Sequence, residues 1–209
     1  MKFERLGWII AAVLAGGIAG VGFQGGNEKV GTVDLAKVFN DSEYAKKQTE
    51  LLRTMGTTRQ SIMEFLKANP HMKAEDATKF RDLSLKDPLA APDKAELERL
   101  KNEAQATETK YRELSTKDKP TPTEVTQIEE LNRRRETAVQ LLEKWNSDFT
   151  AEVGQRQEGL RNETLQRVKE AVQQAAKSQG YSMVFVQDVA PYSANDLTAE
   201  ALKVMNAKK

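Results

Sequence analysis

The chain has no cysteine, a single histidine and only 6% aromatic residues. Without cysteine there is neither a disulfide staple nor a thiol nucleophile, so stability rests on packing or on assembly. A lone histidine removes most arrangements for nucleophilic or metal chemistry. That histidine, His71, stands beside Pro70 and reads as a solvated loop residue. Catalytic residues, metal ligands and cofactors are all expected to be absent, and the chain reads as a non-enzyme. Charge of one sign is lacking too. With 32 Lys and Arg against 31 Asp and Glu, the net charge is +1. That excludes a nucleic-acid or membrane-surface binder driven by bulk charge. Hydrophobic residues make up 39% and charged residues 30%, less apolar than a compact globule usually is. Proline is missing from the whole stretch between Pro122 and Pro191.

One long apolar run is present, at the start. Met1 to Arg5 is short and charged, Leu6 to Ala15 is apolar, and Gly16 to Gly20 is small. This is the order of a secretory signal, with cleavage expected after Ala19. The competing reading is an uncleaved anchor to Phe23, since the run just reaches the length of a short membrane span. The stretch Gly25-Gly26-Asn27-Glu28 is glycine-rich but precedes a strand and lacks the order of a phosphate loop. It reads as the exit from the signal.

Two strand-like segments lie at opposite ends of the remaining chain, Lys29 to Asp34 and Tyr181 to Asp188. Residues 35–180 between them are dominated by good helix formers. A lone strand cannot satisfy its own backbone, so the two ends are expected to meet in one small sheet. The helix would run out and return as an antiparallel hairpin. An outgoing helix is expected from near Leu35 to Asn69-Pro70, with Arg59 interrupting its apolar seam. A second seam runs Leu97, Leu100, Ala104, Thr107, Tyr111, Leu114. Thr121-Pro122-Thr123-Glu124 reads as a capping box that opens the return helix. Gly180 reads as its left-handed cap. The two outgoing pieces together match the return helix in length, so they are expected to stack end to end along it. Segment 69–91 would then be a side insertion, with a short helix near 74–86 lying opposite Phe149. The return seam keeps a heptad to Phe149 and slips beyond it. Gly154 and Gly159 sit in the slipped region and predict a weak joint. Thr198 is expected to cap a last helix.

In this order the chain resembles the OmpH family of periplasmic chaperones, the Skp-like proteins. The matching stretches are Val30 to Asp34 with Val38-Phe39, then Gly180-Tyr181 to Val186, then Asp196-Leu197-Thr198 with Leu202-Lys203. The resemblance implies an α+β fold: a long antiparallel helical hairpin, the coiled-coil arm 35–180, on a β-sheet body formed by 29–34 and 181–209. It implies a homotrimer whose arms enclose a cavity and hold unfolded outer-membrane proteins in the periplasm without ATP. The chain departs from the family in being near neutral and in carrying the extra segment 69–91. A short β-ribbon is marginal alone, and three copies sharing a body would bury Val30, Val33, Val184 and Val186. Trp145 and Phe149 lie on the seam, where core packing is the default, and are the candidate client contacts. The contrasting expectation is an uncleaved, membrane-tethered coiled-coil scaffold of the envelope. Neither reading calls for nucleic acid, and the membrane enters only through an uncleaved N-terminal segment.

Overall fold

The computed structural model of the protein describes residues 29–191 and 193–207. The expected signal or anchor within 1–23 lies outside them. The elements in order are β1 (Lys29–Val33), α1 (Leu35–Asp41), α2 (Glu43–Ala68), α3 (Ala74–Ser84), α4 (Ala91–Ser115), α5 (Pro122–Gln179), β2 (Tyr181–Val186) and α6 (Thr198–Ala207). The chain is mostly helical, and its two ends pair in one small sheet. It divides into two compact units. Among the described residues one comprises 29–51 with 157–207, the other Leu52–Arg156.

In the first unit β1 and β2 run parallel, with Val30 opposite Met183, Gly31 opposite Val184, Thr32 opposite Phe185 and Val33 opposite Val186. The register shifts between Lys29 and Val30, Lys29 itself facing Tyr181. The tail adds a third segment on the other edge of β1. The Thr32 amide donates to the Asn195 carbonyl (2.8 Å) and the Leu197 amide donates to the Thr32 carbonyl (2.8 Å). The core beneath the sheet gathers Val33, Val38, Val168, Ala171, Ala175, Ala201 and Met205.

The expected single outgoing helix is two. Ser42 is fully buried in an extended conformation. Its hydroxyl accepts from the Ala45 amide (3.1 Å) and donates to the Phe39 carbonyl (3.1 Å), so it closes α1 and opens α2. Serine competes with the helix in this way wherever its hydroxyl finds backbone partners. Asp34, not a strand residue, caps α1 through Lys37 (2.8 Å). Thr198 is not the cap of α6 either. The side chain of Asp196 accepts from the Thr198 amide (2.8 Å), which frees the threonine hydroxyl for another bond.

In the second unit α3 occupies the place expected for the short helix in the insertion. It runs alongside α5 from Arg134, near Lys73 and Ala74, to Trp145, whose ring lies 5.2 Å from the Arg81 guanidinium. The end-to-end stacking of α2 and α4 is not found. Thr58 and Phe65 of α2 and Leu97 and Lys101 of α4 line one cleft together with Phe80 and Leu83 of α3. The two outgoing helices therefore overlap side by side. Total length could not reveal this. The apolar face of α3, with Ala77, Phe80 and Leu83 buried, has to be covered by its neighbours, and overlap supplies that cover. The expected caps hold at both ends of α5. Thr121 and Glu124 exchange backbone-to-side-chain bonds of 2.9 and 3.4 Å, and Gly180 has φ +73°.

Candidate functional site

The valines singled out in the sheet fall on two different faces. Successive strand residues alternate sides, and the register puts Gly31, Val33, Val184 and Val186 on one face. Val33 is buried in the helical core and Val184 packs against it. Val30 lies on the opposite face with Met183 and Phe185, all three half-buried. Among the described residues β2 is bonded on one edge only, to β1. Val189, just beyond it, is 64% exposed. Met183 and Phe185 lie inside the apolar run read from sequence; strand alternation separates them from Val184, and the register with β1 decides which set shares the face of Val33.

A chain of hydrogen bonds ties the tail to this sheet. The Asp34 amide donates to the Thr198 hydroxyl (2.8 Å), which donates to the Asp196 carboxylate (2.5 Å). Gln187 Nε2 donates to the other Asp196 oxygen (3.2 Å). Partial burial pushes the Asp196 pKa up. The bonds from Thr198 and Gln187 outweigh it, and the net shift is downward. Gly31 is packed so closely that a Cβ would lie 2.3 Å from Leu197 Cδ1 and 2.8 Å from Tyr181 Cε1. The same Tyr181 ring carries Lys29 Nζ at 4.1 Å.

Trp145 and Phe149 lie within the core of the second unit, with side chains in one cluster with Ile62, Leu66, Phe80 and Leu100. Trp145 is 1% exposed and Phe149 8%. Neither ring forms part of the surface, in keeping with their seam positions. Arg59, which broke the sequence seam, reaches across to Glu152 with two bonds of 3.1 and 2.5 Å, and its guanidinium lies 5.6 Å from the Phe149 ring. A bidentate fork of this kind needs a partner far away in sequence, so no local pattern announces it.

His71 is not a solvated loop residue. It is 3% exposed, with Nδ1 2.8 Å from Glu108 Oε1, and its amide donates to the same oxygen (3.1 Å). Its ring stacks on Tyr111 at 3.9 Å, and the Tyr111 hydroxyl donates to Asn132 (3.1 Å). The pair pins the turn after α2 onto α4 and α5. Sequence showed the turn but not the carboxylate that waits for it 37 residues later.

Several surface charges are paired. Glu96 is held near a pKa of about 2 by hydrogen bonds from Arg99 and then Lys79. In the run Arg133-Arg134-Arg135, Arg133 and Arg134 both bond Glu130, as a solvated helix face would. Among the described residues no cluster of three or more His, Asp or Glu side chains could hold a metal. No described helix is long and apolar enough to cross a membrane.

A search of curated proteins finds no match to this chain. The family model described as "Outer membrane protein (OmpH-like)" matches residues 29–205, from the first residue of β1 to the last turn of α6. The match thus includes both sheet strands and every described helix between them, and the chain belongs to the OmpH-like family, the Skp-like periplasmic chaperones.

Proposed function

We propose that this protein is a holdase of the periplasm, which assembles as a homotrimer and keeps unfolded outer-membrane proteins soluble without ATP. The family as a whole is periplasmic and not enzymatic. The observation that carries the assembly is the second face of the sheet. Val30, Met183 and Phe185 remain half-exposed on it while Val33 is committed to the chain's own core. An apolar sheet face beside an unpaired strand edge is a surface that proteins cover. In this reading Val30 serves the subunit contact with Met183 and Phe185, and Val33, Val184 and Val186 share the face turned to the helices beneath. Trp145 and Phe149 support the walls from inside and would meet a client only through local opening.

The test is analytical ultracentrifugation of the mature chain together with aggregation of an urea-diluted outer-membrane β-barrel. A trimer that suppresses aggregation at stoichiometric amounts without nucleotide is expected. A folded monomer overturns the assembly, and unchanged aggregation at excess protein overturns the chaperone reading.

A further inference from the structure

Segment 69–91 builds a cleft with α2 and α4 inside the second unit. Its volume is about 420 Å³, within the ~300–1,000 Å³ of ordinary ligand sites. The floor is buried Ile62, Phe80 and Leu83, and the walls are half-exposed Phe65, Leu89 and Leu97. Phe65 and Phe80 stack at 4.1 Å and form an aromatic wall.

Two features of the rim define what would fit. The charged groups lining the cleft are Lys86 and Lys101, both cationic. Each is paired with an exposed or half-exposed carboxylate on α4, Asp93 and Glu98, that does not itself line the cleft. Ion pairs of this kind contribute little, so both ammonium groups are open to a competing carboxylate. The hydroxyls of Thr58, Ser61 and Ser84 also line the cleft and have no hydrogen-bond partner among the described residues. They stand where a peptide backbone beside the aromatic wall could bond to them.

We propose that this cleft binds an extended segment of an unfolded polypeptide that places an aromatic side chain next to a carboxylate. The ring enters between Phe65, Leu89 and Leu97. The carboxylate meets Lys86 and Lys101, and the backbone takes the free hydroxyls. The proposal rests on the holdase reading and adds a sequence preference to it. A near-neutral chain has no bulk field to draw clients in, so a local cationic rim on an apolar cleft is where selectivity would reside.

The experiment uses the full mature chain and fluorescein-labelled twelve-residue peptides. One carries Phe flanked by Asp, a second replaces Asp by Lys, and a third replaces Phe by Ser. Fluorescence polarisation should show the first peptide binding at least about tenfold more tightly than either control. Ser61→Trp, which fills the mouth from an exposed position, should weaken that peptide about tenfold. Lys101→Glu should reverse the preference between the Asp and Lys peptides. Circular dichroism checks that both variants keep their helicity. Equal binding of all three peptides overturns the proposal, as does tight binding unaffected by either variant. A cleft variant that changes only the sedimentation of the protein would name a second copy as the occupant, and overturns it too. The holdase reading fails separately, on β-barrel aggregation that the wild type does not suppress.

Discussion

Replacing Gly154 and Gly159 by alanine should tighten α5 at the boundary of the two units. Between Phe149 and Leu160 the helix buries no side chain, and between Ala45 and Ile62 neither does α2. Both helices are held there by their own backbone bonds and by surface pairs. Gly154 and Gly159 have no packing reason to be glycine, since a Cβ at either would find nothing within 4 Å. Each costs the helix about 1 kcal/mol relative to alanine. The two substitutions together should raise the local opening free energy by about 2 kcal/mol. At about 1.4 kcal/mol per tenfold this slows amide exchange across 150–159 roughly thirtyfold. Hydrogen exchange read by mass spectrometry on wild type and double variant measures it. The stretch should exchange faster than 131–145 in the wild type, and the difference should shrink in the variant. Wild-type exchange as slow as in that buried region, with no change on substitution, would refute the idea that the glycines maintain a joint.

Gly31→Ala should destabilise the sheet unit, because the new methyl lies 2.3 Å from Leu197 Cδ1 and that side chain is fully packed; the overpacking cost is typically ~1–3 kcal/mol, read as a lower urea midpoint. His71→Ala removes the ring stacked on Tyr111 and leaves the Glu108 carboxylate buried without its imidazole; a loss of about 1–3 kcal/mol in urea unfolding is expected, and an unchanged midpoint would mean the pair holds nothing. Acid should weaken the fold through depressed carboxylates. Glu124, held near about 2 by Lys117 and the Thr121 amide, and Asp196, shifted down from 3.8, both favour the folded state while ionised. The contribution of each is whole above its ordinary carboxylate pKa and is lost as pH falls below it, for Glu124 towards about 2. Melting temperatures of wild type and Asp196→Asn should therefore converge over that window, and a constant gap from pH 6 to 2 would contradict the assignment.

What the sequence by itself determined is the local and the periodic. The capping box of Thr121 and Glu124, the glycine stop at Gly180 and the heptads that bury Leu131, Ala138 and Trp145 all follow from spacings of a few residues. So does the pairing of the two strand runs, because each needs a partner and the stretch between them is helical. Tertiary structure alone decided the rest, each time through a partner distant in the chain. Register and parallel direction sort Val33 and Val184 from Val30 and Phe185, since one residue of slip exchanges the faces. The side-by-side overlap of α2 and α4 depends on the apolar face of α3, which sums of helix length do not see. His71 reads as a loop residue and Arg59 as an interruption until Glu108 and Glu152 come within 3 Å of them. Most buried polar groups find their partners only when the fold forms, and here no window of sequence contains both.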